Sequence, residues 1–232
     1  MSHDSLFAPV LPPLTRFSPL TLATLLFLIA FVAFSWRLGE GPIVRTMEGR
    51  EALVMQEIAR TGNWVLPLRN GETIPSKPPL LHWIGVAVAG LSGDVSEWSV
   101  RFPGALFSAL SVALTCLLGC RLAGREVGVL AALLLLTTPG VVELAREGWV
   151  DPALSFFVLA ALASFFSMYE SGNWRGWCSL AFYLSLAGAV LSKGPIGYIL
   201  PALVILAYLA IQRQLSCLRH LLTVPGVLLT VG

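Results

Sequence analysis

Charge is what this sequence lacks. Only 12% of its 232 residues are Asp, Glu, Lys or Arg, 56% are hydrophobic, and the mean hydropathy is +0.79. Ordinary soluble domains carry about 25% charged residues, so this composition excludes them and marks a membrane protein. Lysine is scarcer still, with thirteen of the fifteen basic residues being arginine and only Lys77 and Lys193 being lysine. Cysteine is limited to Cys116, Cys120, Cys178 and Cys217. No Rossmann glycine fingerprint, Walker loop or zinc-ligand spacing occurs, so no cofactor and no metal site are expected.

What remains is long apolar runs. A membrane-spanning helix needs roughly 20 mostly apolar residues, because lipid offers no partner to an unpaired backbone amide. Six complete candidates occur, near Phe17 to Trp36, Phe102 to Cys120, Val127 to Ala145, Pro152 to Tyr169, Trp177 to Ser192 and Pro195 to Ile211; a seventh starts at Leu221 and is cut off at Gly232. The chain therefore reads as the N-terminal part of a longer protein, truncated at its C-terminal end. The first run is longer than a signal-peptide core, and no small-x-small cleavage site follows it, so it reads as a retained anchor.

Cations set the orientation. With a cytoplasmic N-terminal arm over residues 1–16, the inner loops hold Arg16, Arg121, Arg125, Arg175, Arg213 and Arg219, against Arg146 and Lys193 in the short outer loops. All four cysteines then fall at cytoplasmic helix ends or in a cytoplasmic loop, where thiols stay reduced, so no disulfide is expected.

One outer segment, 37–101, follows the first membrane helix over 17–36 and concentrates the polar residues; the later membrane helices occupy 102–232. Within it, TMEGREALVMQEIARTG reads as a short amphipathic helix with Thr46 as N-cap, Ala52, Met55 and Ala59 on one face, and Gly62 as the stop. Residues 63–79 hold Pro67, Pro75, Pro78 and Pro79, and read as an ordered loop carrying Trp64, Arg69 and Lys77. From Leu80, LLHWIGVAVAGLSG reads as a second helix too short to span. Glu143, Arg146, Glu147 and Asp151 lie between later membrane helices, and Lys193 ends another in SKGP. Ionisable groups at membrane depth are costly and face a cavity or one another. Glu48, Lys77, Asp151 and Lys193 all fall on the outer side, where convergence would make one polar pocket.

These residues also carry a resemblance. The run EGREALVMQEIARTGNWVLPLRNGETIPSKPPLLHW is similar to the first outer loop of the bacterial aminoarabinose transferases and protein-mannosyltransferase-like glycosyltransferases, with their D-E-x-R, G-D-W and K-P elements. SVRFPGALFSAL resembles the start of their second membrane helix, WVDPALSFF their L-D-P motif and LSKGPIGYILP their T-K-G motif. The resemblance implies an all-α, polytopic transmembrane helical bundle of GT-C type, with about seven membrane helices in this chain and amphipathic helices in the first outer loop. It implies a glycosyltransferase of the bacterial inner membrane that moves a sugar from a polyprenyl-phosphate-linked donor to a lipid or protein acceptor on the periplasmic side. The absence of a nucleotide-binding fingerprint accords with a lipid-linked donor.

Site residues follow from the matched motifs. Lys77 and Lys193 are expected to bind the carrier phosphate, because a lysine's flexible apolar stem can lift a compact charge from membrane depth to a phosphate. Arg50 joins them as a candidate phosphate ligand, and His82 and Trp83 as candidates for the sugar pocket. The family's catalytic aspartate falls at Met47, a departure that leaves two readings. Either Glu48, one residue on, serves as the base from a rearranged pocket, or Asp151 carries the remaining carboxylate function. Arg101 and Arg146 read either as helpers at the phosphate or, the favoured reading, as partners for Glu97, Glu143 or Glu147. The alternative to an enzyme is a non-catalytic polyprenyl-phosphate-binding membrane protein or a transporter, although no internal repeat is evident.

Overall fold

The computed structural model describes residues 16–221, so the expected seventh membrane helix lies almost wholly outside the described residues. The chain forms α1 (Pro19–Ser35), α2 (Thr46–Thr61), α3 (Leu80–Ser92), α4 (Glu97–Ala123), α5 (Arg125–Thr137), α6 (Pro139–Ala145), α7 (Asp151–Ser171), α8 (Trp177–Lys193), α9 (Ile196–Ile211) and the short α10 (Leu218–Leu221). No named strand occurs among the described residues.

Local chemistry sets most boundaries. Ser18 starts α1 by accepting from the Thr21 amide, with Pro19 in the first turn. Ser96 and Ser99 cap each other at the start of α4, placing that helix five residues ahead of the expected Phe102 and bringing Arg101 inside it. The expected run 127–145 is not one rod: α5 and α6 bend by 64°. Pro139 is responsible, since it donates no amide and disfavours helical backbone at Thr138, which is extended.

Helix α2 matches the amphipathic reading, with two adjustments. Thr46 is its first residue, and the cap position is Arg45, whose side chain makes no capping bond. The buried face runs through Glu48, Ala52, Met55 and Ile58, while Ala59 is exposed. Gly62 ends the helix at φ 71°, as expected of a left-handed stop. In the loop after it, Arg69 and Thr73 pair across a tight turn at Asn70 and Gly71, both at positive φ.

Packing centres on α4. Its apolar side chains join those of α1 and α5 in one core around Leu26, Ala30, Phe34, Ala109 and Val112. Helices α7, α8 and α9 form a second core around Ala161, Phe165, Phe182 and Leu209. A third, around Met55, Ile58, Leu81 and Val100, seats α2 and α3 on the start of α4. Small residues permit the closest approaches: a Cβ on Gly197 would stand 2.3 Å from the Ala189 backbone.

The outer face of the bundle is apolar. Leu20, Leu28, Ile29 and Val32 on α1, Leu130 and Leu134 on α5, and Leu203 and Val204 on α9 are all exposed. A continuous surface of this kind suits lipid contact. Helices α4 and α7 are long and apolar enough to cross a membrane, and the bent pair α5–α6 adds a third if its two helices count as one span. Helices α1 and α8, at 17 residues, and α9, at 16, are shorter. Of the seven expected crossings, these two or three satisfy length and composition outright.

Candidate functional site

Two polar clusters lie at the same end of the bundle as the α2–α3 segment. The first is built on Arg101. Its Nε donates to Glu48 Oε1 at 2.7 Å and an Nη to Glu48 Oε2 at 3.2 Å, while the other Nη donates to the carbonyls of Leu38 and Gly41 at 3.0 and 3.1 Å. The Gly148 amide also donates to Glu48 Oε1, at 3.1 Å. Both residues are buried, the Glu48 side chain being 3% exposed. This cluster ties the α1–α2 connection, the first turn of α2, the start of α4 and the α6–α7 turn to one another.

Nearby arginines are occupied in the same way. Arg45 meets Glu143 at 2.7 Å and Glu147 at 3.1 Å, and the hydrogen bond to Glu143, followed by the charge of Glu147, raises its pKa above the usual arginine value. Arg146 donates to the carbonyls of Phe34 and Trp36 at 3.1 and 2.8 Å, closing the end of α1. Between these groups lies an open cavity of about 540 Å³ that also touches Glu48 and Arg101. The sequence expectation of partners for Arg146 among Glu97, Glu143 and Glu147 gives way to backbone carbonyls, and Arg101 takes Glu48 instead.

The second cluster holds both lysines. A cavity of about 410 Å³ lies between the 65–79 loop and the α8–α9 turn, with Lys77, His82 and Lys193 on its wall. Pro75, Pro78, Pro79 and Pro195 line it as well, so much of its rim has restricted backbone. Lys193 donates to Asp151 Oδ1 at 2.5 Å, joining the last residue of α8 to the first of α7; both side chains are 30% exposed. Lys77 is half-buried and enters no ion pair among the described residues. Behind the lysines, His82 Nε2 lies 2.6 Å from Glu51 Oε2. Trp83 Nε1 donates to the Trp64 carbonyl at 2.7 Å, fastening the loop to α3.

Of the sequence candidates, then, Lys77, Lys193 and His82 meet at one cavity and Asp151 reaches it through Lys193. Trp83 braces the loop that forms its roof. Glu48 lies in the other cluster, with both carboxylate oxygens engaged. Arg50 is exposed, lines neither cavity, and has its guanidinium 3.9 Å from Met47 Sδ. Glu51 was missed in the sequence. It stands in an amphipathic helix among other acids, and only the fold reveals His82 opposite it.

The comparison with known proteins decides the family. Residues 76–231 match the family model of dolichyl-phosphate-mannose-protein mannosyltransferases. The chain belongs to that family. Among curated relatives within reach of this mannosyltransferase-family chain, an undecaprenyl phosphate-alpha-4-amino-4-deoxy-L-arabinose arabinosyl transferase of Edwardsiella ictaluri is 28% identical over 91% of this chain and 38% of its own length. A protein of the same description from Pseudomonas fluorescens is 32% identical over 78% of this chain and 33% of its own. The crystal structure of ArnT from Cupriavidus metallidurans bound to undecaprenyl phosphate superposes with a TM-score of 0.78 at 25% identity, covering 92% of this chain and 40% of that one. This chain thus spans about two fifths or less of the relatives it matches.

Proposed function

We propose that this chain forms the donor-binding part of a membrane glycosyltransferase that takes a sugar from a polyprenyl phosphate and passes it to a lipid or protein acceptor. The observation that carries the reading is the cavity walled by Lys77 and Lys193. A phosphodiester head at a membrane surface needs cations that lie near membrane depth, and a cavity floored by helix ends and rimmed by prolines presents two.

The roles follow from the partners. Lys77 is the available cation for the phosphate. Lys193 is held by Asp151 and can share its three N–H donors between that carboxylate and a phosphate oxygen. Asp151 fixes the direction of Lys193. Glu48 serves by positioning: its bonds to Arg101 and Gly148 fix where α2 starts relative to α4 and α7. The donors that the relatives' descriptions name, undecaprenyl phosphate carrying 4-amino-4-deoxy-L-arabinose, are the first to supply.

The finer topology belongs to the same proposal. Helices α1, α4, α5 with α6, α7, α8 and α9 make six crossings, with the N-terminus cytoplasmic and the lysine cavity periplasmic in the inner membrane. Arg121 at the end of α4 meets Glu170 at the end of α7, at 2.6 Å, which supports a common cytoplasmic end rich in arginine.

The test is binding of undecaprenyl phosphate to the protein in nanodiscs, comparing wild type with Lys77→Gln and Lys193→Gln. Weakened binding in both variants is expected; undiminished binding in both would remove the phosphate site from this cavity.

A further inference from the structure

The Glu51–His82 pair stands out because nothing structural accounts for its polarity. His82 is fully buried, at 0% exposure, and it forms part of the wall of the lysine cavity. Its Nε2 faces Glu51 Oε2 at 2.6 Å, and its Nδ1 is buried with no hydrogen-bond partner among the described residues. A buried polar nitrogen without a partner is costly, and an apolar side chain of similar size would avoid that penalty. The arrangement has a chemical consequence. With Glu51 accepting from Nε2–H, a neutral imidazole carries its lone pair on Nδ1. A carboxylate that fixes one nitrogen and leaves the other as a base is the logic by which a histidine is set up to accept a proton.

Met47, in the first turn of α2, cannot take a proton. Glu48 beside it has its oxygens bound to Arg101 and Gly148. Asp151 is paired with Lys193. Of the groups at the lysine cavity, His82 alone joins a free lone pair to an orienting carboxylate.

We propose that His82 is the proton acceptor of the transfer step and that Glu51 is its positioning residue. The assignment rests on the transferase reading above. In the step, an acceptor hydroxyl oxygen bonds to the anomeric carbon of the sugar while the bond from that carbon to the phosphate oxygen breaks. The electron pair leaves with the polyprenyl phosphate, whose charge Lys77 and Lys193 hold, and the hydroxyl proton passes to His82 Nδ1. Protonated His82 then faces Glu51. His82 has no exposed surface in this structure, so the cavity wall must open beside it for the acceptor hydroxyl to reach Nδ1.

The charged groups around His82 are Glu51 from α2, Lys77 from the loop, Lys193 from the α8–α9 turn and Asp151 behind it; from α4, which packs behind α3, Arg101 is bound to Glu48.

The experiment uses the protein in its native membranes, with radiolabelled undecaprenyl-phosphate-4-amino-4-deoxy-L-arabinose as donor and membrane lipid and protein as acceptor. Binding of undecaprenyl phosphate is measured alongside, for wild type, His82→Gln and Glu51→Gln. Both variants are expected to bind the carrier as wild type does and to lose transfer by about 100-fold or more. Glu51→Asp should recover part of the rate that Glu51→Gln loses. Unchanged transfer in His82→Gln, or parallel loss of binding and transfer, would overturn the assignment in favour of a packing role. If His82→Gln does not accumulate, Glu51→Gln, which keeps the shape of its side chain, decides by the same criteria. A wild-type protein that binds the carrier but transfers no label would overturn the transferase reading, and this assignment with it.

Discussion

Removing the guanidinium of Arg101 should destabilise the fold more than any other single change at the α2–α3 end of the bundle. In Arg101→Met the Glu48 carboxylate stays buried, its side chain 3% exposed, with only the Gly148 amide facing it. Breaking one side of a buried ion pair costs about 3–5 kcal/mol, chiefly because the remaining charge is left without compensation. The carbonyls of Leu38 and Gly41 lose their donor in the same step. Glu48→Gln should be milder, about 1–3 kcal/mol, because the amide oxygen still accepts from Gly148 and from Arg101. The double variant Arg101→Met with Glu48→Gln removes both charges, and it should be more stable than the sum of the single losses predicts. Reversible denaturation in mixed micelles, followed by tryptophan fluorescence, gives the three values. Single losses that add to within about 0.5 kcal/mol would refute the coupling. Folded protein from each variant should still bind undecaprenyl phosphate, since the pair lies outside the lysine cavity; loss of binding without loss of stability would return Glu48 to the reacting centre.

Other perturbations separate packing from binding. Lys77→Gln should leave the unfolding midpoint unchanged, because the side chain is half-buried and in no ion pair, while weakening carrier binding about tenfold or more, as expected for a charge-assisted contact worth about 1.5–3 kcal/mol. Gly197→Ala places a Cβ 2.3 Å from the Ala189 backbone, so α8 and α9 must separate; a loss of about 1–3 kcal/mol should appear in the same denaturation assay. Gly148→Ala meets Val100 Cγ1 at 2.7 Å and Glu48 Cγ at 3.2 Å, and its loss should shrink in the Glu48→Gln background if the two sites share one strain. Arg146→Met frees the carbonyls at the end of α1 and should speed proteolysis near residues 36–41 without altering carrier affinity.

The helices were legible because apolar runs and caps act locally. Ser18, Ser96 and Gly62 mark ends that any sequence reading can use, and the fold adds only that the cap at Ser96 lengthens α4. The 64° bend at Pro139 was hidden by uniform hydrophobicity, which cannot distinguish one long helix from two. At the site, the lysines were visible through their rarity and the proline-rich context. Partner choice was not. Arg101 lies 53 residues from Glu48, and no periodicity signals a pair at that separation; nearer acids at Glu97 and Glu143 looked equally suitable. Glu51 and His82 are separated by 31 residues and likewise meet only when α2 and α3 fold back on each other.

The division of labour between arginine and lysine has a structural reason. Arg101 and Arg45 each spread a planar fork over two or more acceptors, and Arg146 turns one Nη to the Phe34 and Trp36 carbonyls, joining segments that are distant in the chain. That geometry gains from rigidity and would bind a ligand only by giving up a strut of the fold. Lysine has one compact charge on a four-carbon stem, and its ammonium can turn from one acceptor to another without disturbing the backbone. At Lys193 the partner is a single carboxylate in a half-exposed setting, and at Lys77 there is no ion-pair partner among the described residues. Replacing both with arginine should therefore preserve the charge of the cavity while weakening carrier binding, because the wider, planar guanidinium must fit between proline-restricted walls that cannot easily move aside. A Lys77→Arg, Lys193→Arg protein that bound undecaprenyl phosphate as tightly as wild type would show that charge alone selects the ligand, and the scarcity of lysine would then need another cause.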